Sequence, residues 1–264
     1  MMKTLAVSLI LLSPTLLPAA ESGGWRNVPA ATDGAEKPLP VWNTRRAALV
    51  VDSPTVTQLR GMLLSAPLPG KEAAPDPVRD RLLEAFKPGE SCGLVIEWLG
   101  ADPVQGFERE WHTGGGQVRS SYRIGNTTVT RTVLASAADD AIFIHLHADQ
   151  PGALSFRVRI PADGVRGEDR RQLILTPEKG PTSHVWVIPF ESDVEPDGRA
   201  ITVRGEGEAL VIWIFSPDKS GAGGLARTWA RLAERHDPGH TPPDASKIWH
   251  GVLEKHLKSP ENSP

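Results

Sequence analysis

The chain reads as mainly β: a large two-sheet antiparallel β-sandwich with one short internal helix and a C-terminal helical appendage. Three observations predict this. Residues 118–160 hold four β-rich runs separated by three turn signals, at Gly125-Asn126, Asp139-Asp140 and Gln150-Pro151-Gly152. Within those runs the apolar residues alternate: Val129, Arg131 and Val133 share one face of a strand while Thr128, Thr130 and Thr132 share the other. Phe156, Val158 and Ile160 oppose Ser155, Arg157 and Arg159 in the same way, and a period of two is what a sheet with one buried and one wet face needs. Thirdly, short strand-like runs recur along most of the chain without a repeat of fixed period, which disfavours a propeller or a solenoid.

The other elements follow in order. Residues 21–37 are Gly-, Ala- and Pro-rich and read as an extended lead-in. The segment 38–51 ends in an apolar run that suits a buried strand, and 55–64 reads as a further strand or an edge. Asp76 followed by Pro77 predicts a helix start, with a capping carboxylate and a proline in the first turn where its missing N–H costs nothing. Val78, Leu82, Ala85 and Phe86 form its apolar face, and Pro88-Gly89 ends it. Strands are expected at 94–99, 107–111, 172–176, 184–190, 200–203 and 209–215, with Asp197-Gly198 marking a hairpin. Helical spacing returns at 226–235, and after the Pro238–Pro243 linker Asp244 can cap a last helix with Ile248, Trp249, Val252, Leu253 and His256 along one face. Such an appendage either packs on the sandwich or connects it to something else.

The N-terminus predicts export. Lys3 gives a basic head, residues 5–17 are almost wholly apolar, and Pro18-Ala19-Ala20 supplies small residues for cleavage near Ala20. The apolar run falls short of the roughly 20 residues a spanning helix requires. The expected location is therefore secreted or periplasmic, with no membrane contact after cleavage. Three segments result: a signal peptide at 1–20, a β-sandwich at 21–222 and a helical segment at 223–264. The net charge of −3, or −4 without Lys3, argues against a nucleic-acid partner. Cys92 is the single cysteine, so no internal disulfide forms, and about 244 mature residues can bury a core without one. Eight tryptophans against one tyrosine suit sugar-stacking platforms or, for any given Trp, core packing.

Motifs that carry chemistry are weak. Gly89-Glu90-Ser91-Cys92-Gly93 spells the nucleophile elbow G-x-S-x-G, but a helix precedes it and a strand follows, the reverse of the order the elbow requires. His145 and His147 share a strand face without a third ligand at a diagnostic spacing, which favours an inter-element or solvent face over a metal, and no cofactor is expected. Carboxylates pair at Glu108 and Glu110, Asp139 and Asp140, and Glu206 and Glu208. Glycosidases use two such groups at a set separation, which sequence spacing does not reveal. Asn126-Thr127-Thr128 is a glycosylation sequon on a tight hairpin.

Several runs together resemble the N-terminal domain of glycoside hydrolase family 95. These are Phe107-Glu108-Arg109-Glu110-Trp111, Tyr122, residues 127–131, Leu134-Ala135-Ser136-Ala137, residues 142–146, and the stretch from Ala148-Asp149-Gln150-Pro151-Gly152 to Phe156. The family carries an R-E pair, then T-R-x-x-F-A-S-x-x-D, then A-D-x-P-G-A-L-S-F; Leu134 stands where it has an aromatic. Pro38-Leu39-Pro40-Val41 with Asn43 resembles the family's opening run, and the segment around Trp249 its linker to the catalytic domain. The resemblance implies an α-L-fucosidase-like scaffold, in a family whose catalysis belongs to a following (α/α)6 barrel. These 264 residues contain no such barrel, Trp42 and Thr44 replace glycines of the opening loop, and Leu59-Arg60-Gly61-Met62-Leu63-Leu64-Ser65 replaces a polar run.

The expectation is an exported, non-catalytic domain of this type that binds carbohydrate or a partner, or is a degenerate remnant of a larger enzyme. Trp42, Asn43 and Arg45 are the expected carbohydrate-contact residues, with no catalytic residue and no metal. The competing expectation is the non-catalytic part of a split α-L-fucosidase whose helical barrel sits on another chain. A plain carbohydrate-binding module is the third.

Overall fold

A computed structural model describes residues 25–28, 37–65, 75–86, 92–100, 102–112, 116–136, 138–217, 222–239 and 244–258. The expected signal peptide and most of the G-x-S-x-G run lie outside these residues. Among the described residues, sixteen strands and three helices follow in chain order: β1 (Trp25–Asn27), β2 (Leu39–Trp42), β3 (Arg46–Asp52), β4 (Val56–Leu63), α1 (Pro75–Ala85), β5 (Cys92–Trp98), β6 (Val104–His112), β7 (Gln117–Ile124), β8 (Thr127–Ser136), β9 (Ala141–Ala148), β10 (Leu154–Arg159), β11 (Arg166–Asp169), β12 (Gln172–Leu175), β13 (Thr182–Pro189), β14 (Val194–Pro196), β15 (Ala200–Glu206), β16 (Glu208–Ser216), α2 (Ala222–His236) and α3 (Ala245–Lys258). The first sheet runs β1-β6-β7-β8-β9-β16-β13-β12-β11 and the second β14-β15-β10-β5-β4-β3-β2, every neighbouring pair antiparallel. The expected two-sheet sandwich is present.

The period of two does what it promised. Val129, Val133, Ile142, Ile144, Phe156 and Val158 meet between the sheets with Trp111, Tyr122, Trp213 and Phe215, all buried. Gly61 of β4 lets the sheets approach there: a Cβ at that position would come within 2.6 Å of the Trp213 ring and 2.7 Å of Phe215. The Trp111 Nε1–H donates to the Pro40 carbonyl of the facing sheet at 2.9 Å, and the Trp213 Nε1–H to Ser183 Oγ at 2.8 Å, so the polar ends of two core tryptophans are satisfied.

Both outer faces carry helices. On the first sheet Leu134, Phe143, Ile188, Leu210 and Ile212 are covered by Leu232 of α2 and by Ile248, Trp249 and Val252 of α3. The appendage therefore packs on the sandwich. On the second sheet Val78 and Leu82 of α1, with Phe86, cover Ala47 and Leu49. The Asp244 carboxylate accepts from the N–H groups of Ser246 at 2.9 Å and Lys247 at 3.3 Å, the cap that the sequence indicated.

Helix α1 starts at Pro75, so Asp76 lies within its first turn and does not precede it as the expected cap, and several further features had no sequence signal. Strands β1, β11 and β14, and β2 as a strand of its own, had no clear periodic signal, being three or four residues long. Pro40 is accommodated because β2 is the last strand of its sheet, where a ladder donor is dispensable. In the β7–β8 hairpin only Gly125 takes a positive φ, of 58°, and Asn126 does not, which is the arrangement with glycine first.

Candidate functional site

The expected contact residues sit at a corner where the two sheets are tied together. Asn43 is buried. Its Oδ1 accepts from the N–H groups of Arg45 at 2.8 Å and Arg46 at 2.7 Å, and its Nδ2 donates across the sandwich to the Ser136 carbonyl at 2.8 Å. Trp42 is half-buried, its ring centroid 6.1 Å from that of Trp111. Arg45 alone faces solvent, 3.5 Å from the Asp140 carboxylate. The neighbouring Arg46 is buried, donates its Nε–H to the Phe215 carbonyl at 2.9 Å and pairs with Asp140. Burial, then the Arg45 charge, lowers the Arg46 pKa to about 10. Asp139 accepts from Ser136 Oγ at 2.8 Å and from Arg235 of α2. These side chains join the β2–β3 corner, the β8–β9 corner and α2. Asn43 is thus engaged in the clasp, Trp42 lies half-buried beside Trp111, and Arg45 is the exposed member of the three expected contact residues.

A groove of about 480 Å³ lies at a different place, against the first sheet. His147, Asp149 and Pro151 form one wall, from β9 and the turn after it; Phe190 and Glu191, beyond β13, form another. Gly207 and Glu208, at the start of β16, and Asp244 and Ser246, at the start of α3, complete it. Its volume is that of a small-molecule site.

The supports behind this groove are specific. Glu206 is buried, and its Oε2 accepts from the N–H groups of Glu191 at 3.2 Å and Ser192 at 2.8 Å and from Ser192 Oγ at 2.8 Å, while Oε1 accepts from Gly207 N–H at 3.0 Å. One carboxylate thereby fixes two walls. His145 lies beneath the groove floor with Nε2 2.6 Å from Glu208 Oε1. Its ring stacks on Trp249 of α3, centroids 4.6 Å apart at 17°, and lies 6.3 Å from His147. Burial holds the His145 pKa below the ordinary histidine value despite the Glu208 bond. The neutral ring then donates to Glu208 from Nε2. Burial alone would raise the Glu208 carboxyl, yet the His145 bond keeps it below its ordinary value.

Chemically, the walls offer acceptors from Asp149, Glu191, Glu208 and Asp244, a donor and an acceptor on His147, a hydroxyl on Ser246 and an apolar edge on Phe190. That set suits a polyhydroxylated ligand. No group of three or more metal-ligating side chains occurs among the described residues. His145 and His147 do share an inter-element face, as the sequence indicated. Glu206 and Glu208 divide their work: one holds the walls and the other faces the groove. Sequence reasoning noted each of these pairs separately but had no signal that would bring β9, β16 and α3 to one place.

Residues 88–186 match the model of the glycosyl hydrolase family 65 N-terminal domain. The match covers β5 to the middle of β13, the part of the sandwich that also carries the family-95 resemblance; nothing in the comparisons supports family 95 itself. No curated protein matches the chain. Among solved structures, one named as a kojibiose phosphorylase from the human microbiome is 9% identical, with a TM-score of 0.37, over 84% of this chain and 35% of that one. That likeness is too loose to fix a fold or an activity, and the chain spans about a third of that structure's length. The central strands are therefore similar to a glycoside hydrolase N-terminal domain.

Proposed function

We propose that the chain is an exported, non-catalytic glycoside-hydrolase N-terminal-type domain that binds carbohydrate in the groove between β9, β16 and α3. The observation that carries this reading is the groove itself, in which carboxylates, an imidazole, a hydroxyl and a phenyl edge converge from four segments. Similarity of the central strands to such a domain supports the choice of ligand class. α-L-Fucosyl glycans are the first ligands to test, on the strength of the residues 131–156 that resemble family 95.

A glycan array followed by titration tests the reading. Binding that weakens on Asp149→Ala and Phe190→Ala, with the fold intact, is expected; no binding to any neutral glycan at millimolar concentration would sink it. Turnover of an aryl α-L-fucoside that survives stringent purification would overturn the non-catalytic half. Export is checked by the mass of the mature protein, which should begin near Glu21.

The description of the matching family as an N-terminal domain favours a second reading, in which a catalytic helical barrel on another polypeptide docks on this sandwich. A neighbouring reading frame that encodes a helical barrel and co-purifies with the chain would decide for it.

A further inference from the structure

Strand register places five polar side chains in one line across the outer face of the nine-stranded sheet. Glu108 of β6 lies opposite Ser121 of β7, Ser121 opposite Thr130 of β8, Thr130 opposite His147 of β9, and His147 opposite Glu208 of β16. Glu108 and His147 are exposed and the other three half-buried. The line ends in the groove, whose walls include His147 and Glu208. A shorter line runs beside it, from Arg123 to its partner Thr128 and on to Asp149, whose carboxylate accepts the Thr128 N–H at 2.9 Å. On the opposite flank Thr132 is buried and His145 lies under Trp249, so α3 bounds the track near the groove.

We infer that this track extends the groove and holds a neutral oligosaccharide laid across strands β6 to β9, with one end in the groove. The inference rests on the carbohydrate reading above and adds the form and charge of the ligand. Neighbouring strands are about 4.8 Å apart, close to the advance per residue of an extended glycan. From β6 to β16 the line spans about 19 Å at that spacing, room for roughly four sugar residues. Ser121 and Thr130 keep the floor low between the taller Glu108 and His147, so a chain can settle along it. Hydroxyls donate and accept, carboxylates accept, and imidazole does one of each, which matches the mixed donors and acceptors of sugar hydroxyls. Glu108, Asp149 and Glu208 outnumber Arg123 along the two lines, so a sulfated or uronic chain would be repelled. A stable protein partner would need an apolar centre, whereas this track has serine and threonine at its middle.

Titration with neutral α-L-fuco-, cello- and malto-oligosaccharides of two to six residues tests it, alongside a sulfated fuco-oligosaccharide. For whichever series binds, affinity is expected to rise about tenfold from two residues to four or five and then level off, as further hydrogen bonds are made along the track. Thr130→Arg, at a half-exposed position, should leave disaccharide binding within about twofold and remove the gain with length. Circular dichroism and the melting temperature establish that this variant is folded, and Ser121→Lys provides a second block of the same line. Affinity independent of length, a length gain that survives both blocks, or tighter binding of the sulfated chain would overturn the track while leaving the groove standing. Absence of binding even by disaccharides would overturn both.

Discussion

Arg131 shows how a charged residue becomes part of a sandwich core. It is buried between the sheets, where its Nη2 lies 2.9 Å from Asp52 Oδ1 and donates to the Ser53 carbonyl at 2.6 Å, and its guanidinium lies 4.8 Å from the Tyr122 ring centroid. Thr57 Oγ1 donates to the same Asp52 oxygen at 2.5 Å. Removing one partner of a buried pair leaves the other charge without compensation. Asp52→Ala is therefore expected to cost about 3–5 kcal/mol in denaturant unfolding, and the double variant Asp52→Leu/Arg131→Met to recover much of it; equal losses in both would mean that packing alone was at stake. Alternation in the sequence already put Arg131 on the face of Val129 and Val133, the buried one, but its partner on the other sheet has no sequence signal. The same holds at Asn43. Asn43→Ala breaks the tie to Ser136 and should cost about 1–3 kcal/mol, because it strands buried donors and acceptors. Carbohydrate binding should be unchanged by it, since the groove lies elsewhere; a selective loss of binding in a stably folded variant would return the site to this corner.

At the scale of elements, the docking of α3 on the first sheet carries a pH-sensitive group. His145 is packed under Trp249 and faces Glu208, His147 and His250, and burial lowers its pKa below 6.5. His184 on β13, also buried, shifts in the same direction for the same reason. A base whose folded pKa is depressed prefers its neutral form in the native state. Its contribution to stability is thus fully present above the unfolded value of about 6.5 and is lost as pH falls below that toward the folded value. Stability should accordingly be flat from pH 8 to 7 and fall below about 6.5, with α3 amides losing hydrogen-exchange protection before the central strands. His145→Phe should remove the α3 part of that fall and leave the His184 part. An α3 whose protection does not change from pH 7.5 to 5 would contradict the assignment. The helix itself was readable from its Asp244 cap and its apolar stripe. Its seat was not, because an amphipathic stripe announces only that something must cover it, and the covering face is assembled from β8, β9, β13 and β16.

For the molecule as a whole, the sandwich was legible because alternation and turn chemistry act over a few residues, whereas the groove depends on which strands become neighbours. The order β8-β9-β16-β13 brings Glu208 beside His145 across 63 residues of chain, and no local pattern encodes that step. The same long-range closure makes Cys92 a reporter of global opening. Its side chain is buried, its Sγ lies 3.6 Å from the Gly61 carbonyl, and burial raises the thiol pKa well above its ordinary value. Only the thiolate reacts with a disulfide reagent, so the native protein should react at pH 8 orders of magnitude more slowly than free cysteine. If the two sheets separate only when the whole domain unfolds, the labelling rate should rise with denaturant along the slope of the global transition. Gly61→Ala sharpens the test, since its Cβ would press on Trp213 and Phe215. Overpacking of this kind costs about 1–3 kcal/mol, and the native labelling rate should then rise by the matching five- to hundredfold, about tenfold per 1.4 kcal/mol. A rate that ignores denaturant, or a Gly61→Ala variant that loses stability without labelling faster, would mean that Cys92 becomes accessible by a local opening near β5 and that the sandwich does not unfold as one unit.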